Sequence, residues 1–381
     1  MNSENIIKDK WLETVWEKTE KKMKAQSSRM GSIIPYVPEN GRYVDMGERN
    51  ITWWTNGFWS GILWQMYNAT KDEEYRKLAE QQEERLDGAL NKFMGTDHDA
   101  GFMWLHTAVA NWRLTNNEES RLRGLQAATL LSGRYNPSGQ FIRAWGGQHV
   151  NDERAGWMII DCMMNLPLLY WASDLTKDPR YKTIAINHAY TTMKHLLRED
   201  GSCYHIAAIN PDTGELEYYP ENQGYSPDSA WSRGQAWAIY GFALSYKYTG
   251  DKEFLDAAKK VAHYFIANVA MSGYVALVDF MAPEEPVMYD TTASTCAACG
   301  LLELADLVTE HEKRLYSEAA FKILHAVSEK HCNWNEEEDS IVQNGCVAYH
   351  RENEIDLPII YGDYFFVEGI LKLKGMSFPI W

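Results

Sequence analysis

Two aspartates stand at the starts of apolar segments: Asp99 in Thr96-Asp97-His98-Asp99-Ala100-Gly101-Phe102, and Asp161 in Met158-Ile159-Ile160-Asp161-Cys162-Met163-Met164-Asn165-Leu166-Pro167-Leu168-Leu169. A carboxylate beside an apolar run is hydrogen-bonded, paired or functional, because burying it unpaired costs several kcal/mol. Either aspartate could be a helix N-cap, and one of Asp97, His98 and Asp99 serves as a plain cap. Trp157, Ile159 and Ile160 are unusual company for a cap, however, and Pro167 fits a first helical turn, which sets Asp161 near a helix start. If the two carboxyls face each other, like-charge repulsion and surrounding aromatics raise the pKa of one and create a proton donor at neutral pH. That is the pair that acid/base sugar chemistry requires.

Other residues could complete such a site. Arg233, between Trp231 and Trp237, offers a fork-shaped guanidinium suited to a substrate carboxylate, or alternatively a structural salt bridge with a nearby Asp. His205 and Gln223 could supply neutral hydrogen bonds. The chain holds 15 Trp and 22 Tyr. Aromatics usually mean core packing, but in polar stretches such as Trp53-Trp54-Thr55-Asn56-Gly57-Phe58-Trp59 they suit the faces of sugar rings.

The elements that position these residues form a weak repeat. An apolar helical segment ends at a Thr, a short polar turn follows, and a charged amphipathic helix begins. The turns fall at Thr70-Lys-Asp, Thr115-Asn-Asn, Thr176-Lys-Asp, Thr249-Gly-Asp and Thr309-Glu-His. The apolar partners are Gly57 to Ala69, Phe102 to Leu114, Cys162 to Leu175, Gly234 to Tyr248 and Thr295 to Val308. Their successors, such as Glu74 to Leu90 and Lys252 to Asn268, are apolar on one face only. Gly362 to Lys374 adds a last apolar segment and Ile6 to Met23 a first amphipathic one, so first and last pair. Six inner and six outer helices of this kind bury the inner ring by closing a circle, which predicts an all-α (α/α)6 toroid. An open solenoid would leave terminal apolar faces exposed. In a closed ring every inner helix runs the same way, so the polar motifs at their N-termini gather at one mouth, where positive dipole ends favour an anionic ligand. The segments 204–229 and 275–289 read as rim loops or short hairpins.

No linker divides the 381 residues, which predicts one domain over 1–381. A net charge of −16 argues against nucleic acid. No apolar run spans a bilayer and no leader opens the chain, so a soluble cytoplasmic protein is expected, a monomer or homodimer, without membrane partners. The six cysteines are scattered; Cys296-Ala-Ala-Cys299 has metal or redox spacing but reads as part of a buried helix.

Several stretches resemble the unsaturated glucuronyl hydrolases, glycoside hydrolase family 88: Trp54-Thr-Asn-Gly-Phe-Trp-Ser-Gly-Ile-Leu-Trp64, His98-Asp-Ala-Gly-Phe102, Ile160-Asp-Cys-Met-Met-Asn-Leu-Pro-Leu-Leu169, Arg233-Gly-Gln-Ala-Trp-Ala-Ile-Tyr-Gly-Phe242, Ala298-Cys-Gly-Leu-Leu-Glu303 and Gly362-Asp-Tyr364. The matches run in order from about Trp54 to Leu373. The resemblance implies an (α/α)6 barrel that removes a 4,5-unsaturated uronic acid from the non-reducing end of small anionic lyase products, without metal or organic cofactor. It implies hydration of the C4=C5 enol ether instead of attack at C1. Carried over by motif, Asp161 protonates C4 and assists water, and Asp99 is its essential neighbour. His98, Trp145, His205, Gln223, Arg233 and Trp237 would hold the uronate, and Trp54 would shape the pocket.

Some positions depart from the family pattern. Asn56 stands where an Asp is familiar, and Asn222 replaces a His. The Ser-x-x-Ser-x-Lys stretch of members that favour sulfated disaccharides is replaced by Ala348-Tyr349-His350-Arg351-Glu352-Asn353. The expected substrates are glycosaminoglycan-type disaccharides. An unsaturated galacturonyl-rhamnose fragment of pectin is the rival substrate, a toroid sugar epimerase or isomerase using paired His is a rival activity, and a non-catalytic sugar-binding toroid is a third reading.

Overall fold

The computed structural model describes residues 3–92, 95–146 and 152–381. The repeat is visible as twelve helices among them: α1 Ser3–Met30, α2 Phe58–Thr70, α3 Glu73–Arg85, α4 (residues 100–115, with a π-helical turn at Leu105–Val109), α5 Glu118–Ser132, α6 Leu166–Thr176, α7 Pro179–His195, α8 Ser232–Thr249, α9 Lys252–Met271, α10 Thr291–Leu307, α11 Glu310–Lys330 and α12 Ile360–Leu373. Even-numbered helices form the inner ring. Each packs on the next, and α12 packs on α2, which closes the circle into an (α/α)6 toroid; α1, first in the chain, packs on α12, the last. Burial follows position. Residues 232–245 of inner α8 are buried on every side, whereas outer α9 buries Phe254, Ala257, Ala258, Val261, Ala262, Phe265 and Val269, one stripe at helical spacing.

The connecting turns explain the sequence repeat. Thr70, Thr176 and Thr249 each donate a hydroxyl hydrogen bond to the carbonyl four residues back and accept the N–H two residues on. The residue between takes the left-handed conformation (Lys71 φ 58°, Lys177 φ 60°, Gly250 φ 73°) that ends a helix. Asp72, Asp178 and Asp251 then cap the outer helix by accepting the N–H of Glu74, Arg180 and Glu253. Asn116 and Asn117 repeat the geometry. At the fifth turn Val308 is extended instead, and the Thr309 hydroxyl binds Glu312.

Helix starts differ from the sequence expectation. α8, α10 and α12 begin two to four residues earlier than Gly234, Thr295 and Gly362, because polar first-turn residues such as Ser232, Thr291 and Thr292 are buried against neighbours and do not mark loops. α6 begins later than Cys162: a 3-10 turn, Ile160–Met164, precedes it, and Pro167 sits in its first α-helical turn. α1 runs on past Met23 to Met30 because Gln26 and Ser27, polar in sequence, are buried.

Three small antiparallel sheets decorate the mouth side: β1 Pro38–Glu39 with β2 Arg42–Tyr43, β3 Tyr135–Asn136 with β4 Phe141–Ile142, and β5 Trp157–Ile159 with β6 Ile206–Ile209 and β7 Leu216–Tyr218. The last places a hairpin within 204–229, as expected. Residues 275–289 form a loop tied by the bridges Trp231–Asp279 and Leu277–Tyr289. No helix among the described residues is long and apolar enough to cross a membrane.

The barrel axis is filled with rings. Trp237 lies 5.3 Å from Phe102 and 5.6 Å from Phe365, and Phe365 stacks on Trp381 at 6.0 Å. Glycines allow this closeness: a Cβ on Gly241 would stand 2.4 Å from that of Met163.

Candidate active site

A cavity of about 500 Å³ opens at the rim where the inner helices start. Its floor and walls include Trp54, His98, Asp99, Asp161, Arg233 and Gln223, with Trp145 and Trp157 on one side and Arg351 and Arg154 also lining it. They come from the segments around the inner-helix N-termini, with Arg233 in the first turn of α8 and Trp157 in β5, so the ring brings together residues 54 to 351.

Asp161 is delivered by β5. Ile159 pairs with Ile206, and Ile160 N–H donates to the His205 carbonyl at 3.0 Å, which sets His205 beside Asp161. His205 Nε2 lies 3.5 Å from Asp161 Oδ1. Asp161 Oδ1 is buried and accepts no hydrogen bond from the described residues. That oxygen is the one on the His205 side, while the Asp161 carboxyl as a whole lines the cavity.

Asp99 occupies the residue before α4, yet its side chain caps nothing there; Asp97 Oδ1 accepts the Asp99 N–H at 2.9 Å in a turn ahead of the helix, so neither carboxylate is the plain helix cap the sequence leads one to expect. Burial, then the negative charges of Asp97 and Asp161, push the Asp99 carboxyl well above the usual carboxylate range. Asp99 is thus biased toward its acid form. Burial lowers His98 to about 4, so its ring is neutral, 3.5 Å from Asp99 Oδ2. Asp97, His98 and Asp99 bring ligand atoms within 4.8 Å of one another, but they are successive residues of one turn, and the Asp97 side chain engages Asp99 through both its N–H and its carboxyl.

Arg233 takes the structural alternative without leaving the cavity. Its Nη1 donates to Asp290 Oδ2 and the Cys346 carbonyl, and Nη2 to the Val347 carbonyl at 2.8 Å. The guanidinium lies over Trp231, 4.4 Å from the ring centre, and 5.6 Å from that of Tyr361. A guanidinium has five N–H donors, so Nε and part of Nη2 stay uncommitted. Gln223 Nε2 also donates to the Val347 carbonyl, at 2.8 Å, so these two side chains hold the strap that carries Arg351.

Trp145 stands edge-on to His98 at 5.9 Å, and the His98 N–H donates to the Ala144 carbonyl. Trp54 faces the cavity with its back to Phe102 and Tyr361. Trp237, expected among the sugar-holding residues, is not on the cavity wall: it is fully buried beneath Phe102, one layer below the floor. His205 reaches the cavity only behind Asp161. Asn56 is buried and donates to the Asn50 and Ile51 carbonyls, while Asn222 lines the cavity.

Sequence reasoning passed over Tyr36, Arg154, Trp157 and Asn165. Tyr36 and Arg154 carry no local signal, and Trp157 stands out in sequence only as unusual company for a cap, since its place on the cavity wall depends on how the ring closes. Asn165 carried one: an amide directly before a proline-started helix, where a cap is expected, whose side chain does not cap its own helix.

A profile of Glycosyl Hydrolase Family 88 matches residues 27–348. The chain is 37% identical over 353 residues to the unsaturated glucuronyl hydrolase of Bacillus sp. (strain GL1), covering 91% of this chain and 92% of that one. It is 34% identical over 336 residues to the unsaturated chondroitin disaccharide hydrolase of Streptococcus pyogenes serotype M1, covering 87% and 83%. A solved structure of a UGL aspartate-to-asparagine variant with dGlcA-Glc-Rha-Glc superimposes with a TM-score of 0.88 at 35% identity, over 94% of this chain and 95% of that one.

Proposed function

The chain belongs to glycosyl hydrolase family 88, and from that premise we propose that it is a glycosidase removing 4,5-unsaturated glucuronic acid from the non-reducing end of small glycosaminoglycan-type oligosaccharides. The observation that carries the chemistry is the unequal pair of carboxyls in one aromatic-walled cavity: Asp99 pushed toward its acid form by burial and acidic neighbours, and Asp161 on the same cavity wall beside His205.

In this reading the ring of the unsaturated sugar rests against Trp54 and Trp145. Asp161, entering the reaction in its acid form, delivers its proton to C4; C5 becomes oxocarbenium-like, and water adds there, giving up a proton to Asp161 that restores the acid. The hemiketal at C5 then opens and releases the remaining sugar, so the balance is one water consumed. Asp99, to the extent that burial and its acidic neighbours keep it in its acid form, presents an O–H instead of a second negative charge to an anionic ring. Helix N-termini at the mouth and the free N–H groups of Arg233 favour the substrate carboxylate. No step calls for a metal or organic cofactor. His98, His205 and Gln223 orient ring and acid, and Trp237 acts from beneath the floor by supporting Phe102.

The whole chain acts as one catalytic domain, as a monomer or homodimer in the cytoplasm. The strap carries Ala348-Tyr349-His350-Arg351 in place of the Ser-x-x-Ser-x-Lys stretch, and Arg351 on the cavity wall is the cation that could take the place of its Lys toward a sulfate.

Hydrolysis of an unsaturated chondroitin disaccharide in heavy water tests the reading. One deuterium at C4 of the released keto acid is expected, together with loss of the conjugated-alkene absorbance; an unlabelled C4 would refute protonation there, and an unchanged absorbance would favour an epimerase. Exclusive use of a galacturonyl-rhamnose fragment would reassign the substrate to pectin.

A further inference from the structure

Asn165 is fully buried at the junction between the 3-10 turn bearing Asp161 and helix α6. Its Oδ1 accepts the N–H of Phe102, in the first turn of α4, at 2.8 Å. That bond fixes which way the amide points, because only the oxygen can accept from an N–H. The other end, Nδ2, then faces two atoms at 3.4 Å: Asp99 Oδ1 and the main-chain oxygen of Asp161. One amide with two hydrogens thus reaches both acidic segments. The approach depends on Gly101, where a Cβ would stand 2.5 Å from Asn165 Cα and 2.6 Å from its Oδ1.

We propose that Asn165 is a positioning residue that fixes Asp99 relative to Asp161 and decides which oxygen of Asp99 carries its proton. The inference rests on the catalytic reading above. Because Nδ2 only donates, Asp99 Oδ1 is its acceptor, which directs a proton on Asp99 to Oδ2, the oxygen facing His98 Nε2; the Asp97 side chain also hydrogen-bonds the Asp99 carboxyl and favours its acid form. The charged and titratable groups around Asp99 are Asp97 and His98 from its own turn, Asp161 and Cys162 from the turn before α6, and Arg134 from the loop after α5. Among them Asn165 is the neutral donor, and its hydrogen bond opposes the upward push on Asp99.

The test uses two variants and the wild-type protein. Asn165→Asp keeps size and the oxygen for Phe102 but turns the donor into an acceptor; Asn165→Ala removes both. With an unsaturated disaccharide, kcat is expected to fall about tenfold to hundredfold in Asn165→Asp, as for a misplaced catalytic group, with KM within about twofold. The pH limb that is absent from Asp99→Asn moves to higher pH in both variants. In the Asp99→Asn background, Asn165→Ala costs little more, because its effect passes through Asp99. Wild-type kcat in the variants, a fall in kcat with an unmoved limb, or losses that add in full would overturn the proposal. Should neither variant fold, a neutron structure of the wild-type protein decides: deuterium on Asp99 Oδ2 supports it and deuterium on Oδ1 overturns it. A wild-type chain that leaves the unsaturated substrate intact would sink the catalytic reading, while the neutron map would still judge Asn165.

Discussion

His205 Nε2 points at Asp161 Oδ1 from 3.5 Å, and neither atom makes a hydrogen bond among the described residues. The other ring nitrogen, Nδ1, faces the main-chain N–H of Gln223 at 3.5 Å and must accept from it. The tautomer therefore puts the hydrogen on Nε2, facing the carboxylate. Contacts of this length in an empty site tighten when substrate excludes water. His205→Ala is expected to lower kcat about tenfold to hundredfold, and His205→Gln, whose amide can donate from a similar place, less. Equal losses in the two would show that bulk, not the donated hydrogen, is what matters.

Asp161→Asn is expected to lower kcat at least about a thousandfold while substrate binding survives, since an amide cannot deliver or recover the proton. Single-turnover rates and isothermal titration with an unsaturated disaccharide separate the two effects. An Asp161→Asn protein that retains a tenth of wild-type kcat would move the acid elsewhere.

Asp99 links activity to stability with opposite signs. Its folded-state carboxyl titrates above the unfolded one, so the folded state holds the proton more tightly. The stability this contributes is complete below the unfolded pKa, about 3.9, and is lost as pH rises through the folded value. Asp99→Asn is thus expected to lower kcat and to raise Tm at pH 8 relative to wild type, with no gain at pH 4. A Tm that falls equally at both values would mean that Asp99 holds the fold together, not the chemistry.

The ring was legible because each turn writes its own chemistry into the sequence: a Thr that satisfies its helix, a residue that tolerates the left-handed region, and an Asp that caps the next. Asp99 and Asp161 were legible because carboxylates beside apolar runs demand a reason. Asn165 was not, since its role depends on a Gly101 gap in another helix. Trp237 enters the sequence reading only through the family resemblance; here it is fully buried beneath Phe102 and does not line the cavity, which no residue type or spacing could reveal before the ring closes. Arg233 stayed undecided in sequence because a guanidinium can serve a structural acid and a ligand at once, and its bonds to Asp290, Cys346 and Val347 leave donors over.

The capped turns lie at the end of the barrel away from the cavity, so scaffold and site can be uncoupled. Asp178 accepts the Arg180 N–H at 2.9 Å and starts α7. Asp178→Ala is expected to cost about 1 kcal/mol in chemical denaturation with kcat unchanged. A drop in kcat larger than twofold would mean that the two rims communicate.

At that same far end, Glu303 on α10 sits between two lysines, 2.6 Å from Lys247 Nζ and 2.7 Å from Lys372 Nζ. Burial alone would raise its carboxyl, but Lys372 and Lys247 outweigh it and pull it down to about 2. A depressed carboxyl stabilises the folded state above the unfolded pKa, near 4.5, and that contribution drains away as pH falls toward 2. The shift corresponds to about 3 kcal/mol at neutral pH, an upper bound because Lys247 is partly exposed to solvent. Glu303→Gln removes the charge while leaving two cations facing an amide, so at pH 7 it is expected to lose up to about that much in urea unfolding. Near pH 2.5 the wild-type carboxyl is already partly protonated, and the two proteins should converge. Parallel stability curves across the whole pH range would mean that the ion triad contributes packing and hydrogen bonds only, with its charge balanced by the cost of burying it.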